Sequence, residues 1–100
     1  MNQAAIYSAT LNYLNAVKAV GSTDADKVME QLRKTPVDDM FASGGVIRAD
    51  GLMVHDMYVM QVKQPAESKG PWDYYKLLKT MKGADAFGKI EDSACPLLKK

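Results

Sequence analysis

Apolar residues at the start of the chain recur at Ile6, Thr10, Tyr13, Leu14, Val17 and Val20, a three-and-four spacing that predicts one stripe of a helix over about 3–20. Gly21 supplies the stop, since glycine turns left-handed without a side-chain clash. In the run Ser22-Thr23-Asp24-Ala25-Asp26, Ser22 or Thr23 is placed to cap free amides, and the acids favour the positive end of a helix. A second helix is predicted over about 24–35, with Ala25, Val28, Met29 and Leu32 inward. Glu30 and Lys34 pair outside, and Pro36 ends it by removing a backbone donor. A helical hairpin results.

Beyond Pro36 the period changes. Gly44-Gly45 breaks the chain and the β-branched Val46-Ile47 predicts a short strand over about 45–48. Asp50-Gly51 is a hairpin signal, because both residues tolerate positive φ. A long strand over about 52–63 is predicted next. Its apolar residues take both parities, Met53, Met57 and Val59 against Val54, Tyr58, Met60 and Val62, so it needs cover on two faces. Residues 65–71, bounded by Pro65 and Pro71, form a solvated loop. For Trp72 to Met81 the spacing of Tyr74 or Tyr75 with Leu78 and Met81 fits a helix, while the aromatic content fits a strand. A turn over 83–88 and an irregular stretch complete the chain, without internal repeats.

With 47% apolar and 25% charged residues among 100, the composition is that of one small globular domain. A chain this short buries only about 60–65% of the surface its unfolded form exposes, so an uncovered apolar face is expensive. The net charge is +1 with the basic residues spread along the chain, which gives no footprint for nucleic acid or an acidic membrane. Arg33-Lys34 and Lys99-Lys100 read as solvated ends. No stretch reaches the roughly 18 apolar residues that span a bilayer. The first twenty residues lack the basic and greasy regions of a signal peptide, so if the chain comes from an exported protein its signal is expected upstream of Met1.

Catalytic chemistry has little to stand on. There is one histidine and one cysteine, with no Gly-x-Ser-x-Gly, no phosphate loop, and no pair of metal ligands at useful spacing. His55-Asp56 is the best polar pair, but neighbours on a strand face opposite ways, and His55 reads as a structural or surface residue. Asp38-Asp39 reads as solvated, lacking the further oxygens a cation needs. Cys95 reads as a free thiol. Trp72, Tyr74 and Tyr75 suit a protein contact better than a ligand site, because amphipathic aromatics at a sheet edge favour interfaces. No enzyme, metal or cofactor is expected.

Several segments in this order carry a resemblance: Ala5-Ile6-Tyr7-Ser8-Ala9, Gly45-Val46-Ile47-Arg48-Ala49-Asp50-Gly51, Met53-Val54-His55-Asp56-Met57-Tyr58, Gln61-Val62-Lys63, Gly70-Pro71-Trp72-Asp73-Tyr74-Tyr75-Lys76 and Cys95-Pro96-Leu97. Together they resemble the carboxy-terminal third of periplasmic solute-binding proteins of the leucine/isoleucine/valine type, which feed ABC importers. The resemblance implies an α/β fragment, locally α+β, of a type I periplasmic-binding-protein fold. Its parent would have two lobes that close on a small solute and deliver it to a membrane permease. It also implies a strand rather than a helix for 72–81, and a hinge crossing near the strand at 55–63. Gln3 and Tyr7, at the entry of the first helix, are the ligand-binding residues it implies, with plain helix packing the competing reading for Tyr7. The alternative function is a free-standing interaction module covered by a second copy, and a homodimer of the chain is expected.

Overall fold

The computed structural model describes residues 2–96 and Leu98; Lys99-Lys100, read above as a solvated end, and Leu97 of the last motif lie outside them. Helix α1 runs Asn2–Val20 and helix α2 Ala25–Lys34. Gly21, at φ +64°, closes α1 by donating its amide to the Val17 carbonyl at 2.9 Å. The cap of α2 is Asp24 rather than Ser22 or Thr23: its carboxylate accepts the Lys27 amide at 3.1 Å, while the Ser22 hydroxyl accepts the Asp24 amide at 3.1 Å. The carboxylate wins because it completes the hydrogen bond and also answers the positive end of the helix dipole.

The face of α1 that the helix pair buries is not the one the apolar spacing indicated. Ser8 and Ala16 are buried. Ala4, Leu11 and Asn12 are half-buried beside them, and Ser8 and Asn12 on this side both donate to Asp39 of the turn that follows α2. Of the predicted stripe Val17 and Val20 are half-buried, while Ile6, Tyr13 and Leu14 remain 45–66% exposed. Helix α1 therefore carries apolar side chains at Ile6, Tyr13 and Leu14 that the described residues leave largely uncovered.

The core is small: Ala16, Val28, Val37 and Ala42 with the polar Ser8. Val37 belongs to an isolated bridge, its amide donating to Gly45 at 2.7 Å and its carbonyl accepting at 2.9 Å. That bridge leads into a hairpin of β1 (Val46–Ile47) and β2 (Met53–Val54), with Val46 opposite Val54 and Ile47 opposite Met53. Gly51 alone takes the positive φ, at +81°. Asp50 keeps ordinary backbone because its carboxylate is engaged, accepting from the Leu52 amide and from the Arg48 guanidinium in a two-pronged pair.

The single long strand expected over 52–63 divides. After β2 the chain breaks at His55-Asp56 and resumes as β3, Met57–Val62, which pairs with a different partner, β4 at Tyr75–Met81. The β3–β4 ladder is antiparallel from Met57↔Met81 to Val62↔Tyr75, with a bulge between Val59 and Met60. Residues 75–81 are strand, as the resemblance implied, but Trp72 is not part of it. It sits in the connecting loop at φ +72°, 84% exposed. A one-turn helix α3, Gly83–Ala86, and a short 3-10 turn at Ile90–Asp92 follow.

Both faces of β3 and nearly all of β4 are exposed. The Cα radius of gyration is 16.9 Å, against about 13 Å for a compact 100-residue domain. The accessible surface is 8013 Å², where a compact monomer of 11.0 kDa would show about 5,600 Å². The excess is larger than one partner's share of a standard protein interface.

Candidate functional site

Gln3 and Tyr7 occupy the first two turns of α1, four residues apart and so on one side of the helix. Both are exposed, Tyr7 at 49%. An amide beside a phenol offers donors, an acceptor and an aromatic face, a combination suited to a small polar solute. Among the described residues no group of three or more His, Cys, Asp or Glu could hold a metal.

What ties the middle of α1 down, just beyond Tyr7, is Asp39, a residue the sequence reading expects to be solvated. One carboxylate oxygen accepts from the buried Ser8 hydroxyl at 2.7 Å and from the Asn12 amide group at 2.9 Å. The other accepts the backbone amides of Phe41 at 2.8 Å and Ala42 at 3.1 Å. The Ser8 hydroxyl, helped by the two backbone amides and Asn12, holds the Asp39 carboxyl below its ordinary pKa against the opposing effect of desolvation. The local half of this arrangement was legible, since an aspartate bonding the amides two and three residues on is ordinary turn chemistry. Its reach to a helix 31 positions away was not.

From that turn a line of aromatic contacts runs to the chain break. His55 lies between Phe41 and Phe87, at ring centroid distances of 5.1 and 5.4 Å and edge-to-face in both cases. Its Nδ1 is 2.8 Å from the Asp56 carbonyl. His55 is thus a structural wedge, as expected, though in a bend and not on a strand. Asp56 faces the other way: its carboxylate accepts the Gly83 amide at 3.1 Å and the Lys82 ammonium at 2.8 Å. Lys82 is the main reason its carboxyl is held below the ordinary range.

Between α1, α2 and residues 35–38 lies an open recess of about 330 Å³, lined by Asn12, Asn15, Gln31 and Asp38 together with apolar residues such as Ala16 and Leu32. Gln3 and Tyr7 are not among its lining residues. Cys95 is exposed and free, and the Trp72 and Tyr74 rings meet edge-to-face at 6.1 Å on the outer loop. None of these groups converges with Gln3 and Tyr7.

A family model described as periplasmic binding protein matches residues 1–71. The fold is similar to a crystal structure of a periplasmic binding protein from Burkholderia mallei, 56% identical over 97% of this chain and 26% of that one, with a TM-score of 0.87. It is also similar to a branched chain amino acid ABC transporter periplasmic ligand-binding protein from Burkholderia xenovorans LB400, 42% identical over 90% of this chain and 24% of that one, at a TM-score of 0.83. The chain spans about a quarter of the length of either relative. No curated protein matches it.

Proposed function

The chain belongs to the periplasmic binding protein family, and from that premise we propose that it is one part of a two-lobed solute-binding component that serves an ABC importer. The solute class is branched-chain amino acids or related small carboxylates and aromatic compounds, the parent works in the periplasm, and its membrane partner is the importer's permease. The observation that carries this reading is the uncovered apolar surface. Ile6 and Leu14 on α1 and Tyr58, Met60, Val62, Tyr75, Leu77 and Leu78 on the ribbon are each more than half exposed. Exposed apolar surface on this scale favours contact with further protein, and both solved relatives carry about three times as much additional chain. The relative from Burkholderia xenovorans, a branched chain amino acid ABC transporter periplasmic ligand-binding protein, supports the solute class.

In this reading Gln3 and Tyr7 contribute to the solute site, and the protein binds without catalysing. Thermal-shift and calorimetric titration of the full-length protein against aliphatic and aromatic amino acids and aromatic acids tests it. One solute is expected to bind, and Gln3→Ala and Tyr7→Ala each to weaken it about tenfold. Loss of a hydrogen bond or an aromatic contact in a closed site is worth roughly 1–1.5 kcal/mol. Unchanged affinity in both variants would remove these residues from the site.

A second reading is favoured by the two open edges of the β3–β4 ribbon, where unpaired backbone groups invite another strand. In it a second copy of the chain supplies the cover and a homodimer forms. Light scattering of the 100-residue chain tests the second reading: a stable dimer supports it, and a monodisperse monomer removes it.

A further inference from the structure

The polypeptide passes twice between two bodies. One body comprises α1, α2 and the β1–β2 hairpin; the other is the β3–β4 ribbon, whose packing is mainly within itself. The outgoing passage is His55-Asp56, between β2 and β3. The return passage is Lys82, between the end of β4 at Met81 and the start of α3 at Gly83. Met57 and Met81 are the first rung of the ribbon, so the two passages lie side by side.

We propose that Asp56 is the clamp of this double crossing, the positioning residue that fixes the angle at which the ribbon leaves the helical body. Its two carboxylate oxygens act on the neighbouring passage at once, one accepting the Gly83 backbone amide at 3.1 Å and the other the Lys82 ammonium at 2.8 Å. A carboxylate fixed from two directions resists both twisting and splaying of the passages, which a single hydrogen bond does not. The approach it ties together is closer than a side chain permits. A Cβ at Gly83 would stand 2.7 Å from the Val54 methyl and 3.0 Å from the His55 carbonyl oxygen, so the return passage is pressed against the outgoing one. The body side is fixed by the His55 ring between Phe41 and Phe87, and by the Arg48 guanidinium donating to the Gly88 carbonyl at 2.7 Å.

The inference rests on the two-lobed reading for its consequence. Where lobes close on a solute, the free energy of bending at the crossings enters the affinity, and a residue that sets the resting angle shifts the open-closed balance without touching ligand. Lys82 is largely exposed, and Asp56 is less so. The backbone bond to Gly83 is accordingly the constraining half and the ion pair the adjustable half.

The test is made on the full-length protein carrying spin labels at Lys18→Cys and Lys69→Cys in a Cys95→Ser background, which reports the body-to-ribbon distance without ligand. The parent is expected to give one narrow distribution. Asp56→Ala, which removes both bonds, is expected to broaden or shift it by several ångströms, and Lys82→Gln, which spares the Gly83 bond, to broaden it less. Asp56→Asn, which keeps an acceptor for the Gly83 amide and loses the charge that holds Lys82, is expected to broaden it as Lys82→Gln does, and serves if Asp56→Ala does not fold. Distributions that stay as in the parent in Asp56→Asn and in every folded variant overturn the clamp. Solute titration of the same proteins is expected to show a several-fold change in Kd. If the distances respond and the parent binds no solute, the transport reading fails and the clamp stands; if the parent binds solute and no distance responds, the reverse holds.

Discussion

The Ser8 hydroxyl, 2% exposed, donates to the Asp39 carboxylate at 2.7 Å, joining the middle of α1 to a turn 31 residues later. A hydrogen bond to a charged acceptor contributes about 1.5–3 kcal/mol when its loss leaves the acceptor short of a donor. Because Asn12 and two backbone amides still serve Asp39, the lower end applies. Ser8→Ala is therefore expected to destabilise the turn by about 1.5 kcal/mol and to speed amide exchange of Phe41 and Ala42 roughly tenfold. A double-mutant cycle with Asp39→Asn should return a coupling above about 0.5 kcal/mol, and additive effects would deny the link.

Acid is expected to loosen the same connections. The Asp39, Asp50 and Asp73 carboxyls are all held below the ordinary range, by the Ser8 hydroxyl, the Arg48 guanidinium and the Lys63 ammonium respectively. A carboxyl with a lowered folded pKa stabilises the fold fully above its unfolded value, about 3.9, and that stability fades as pH falls through the lowered value. The melting temperature should hence be nearly flat between about pH 8 and pH 5 and fall below about pH 4. Asp39→Asn should flatten the acid limb, and an unchanged limb would show that Asp39 carries none of it.

Trp72 is the one non-glycine residue with positive φ among those described, and it is held so by a stapled loop. Asp73 accepts the Lys63 ammonium at 2.6 Å and the Lys69 amide at 2.9 Å, while the Gln64 amide is taken by Glu67 at 2.8 Å. Left-handed backbone costs a bulky residue about 1–2 kcal/mol, and an 84% exposed ring recovers little of it by burial. Trp72→Asn, which tolerates that conformation, is expected to raise the unfolding free energy by about 1 kcal/mol in denaturant melts. A loss would mean that the ring is packed against protein in the full-length molecule.

How much of this was readable beforehand depended on range. The helix limits, the Glu30–Lys34 pair and the β1–β2 hairpin followed from local rules, because Gly21, Pro36 and Gly51 act within a few residues of themselves. The division of the long strand did not follow. Apolar residues flank the polar His55-Asp56 pair on both sides, and two polar residues alone do not record that Val54 pairs backward with Val46 while Met57 pairs forward with Met81. The buried face of α1 departs from the apolar spacing for a related reason. Apolar spacing marks a face that seeks cover, and here the helix pair is built on Ser8 and Ala16, leaving Ile6 and Leu14 for something else. Gln3 and Tyr7 came from the resemblance and not from periodicity, and they remain exposed side chains on the first turns of α1.

Side-by-side calorimetric titration of the 100-residue chain and of the full-length protein with the same solute panel is the most direct test. Saturable binding of a branched-chain amino acid or a related carboxylate by the full-length protein is expected, with no heat of binding for the isolated chain at the same concentrations. Equal affinity in the two, with the isolated chain a compact monomer, would contradict the two-lobed reading.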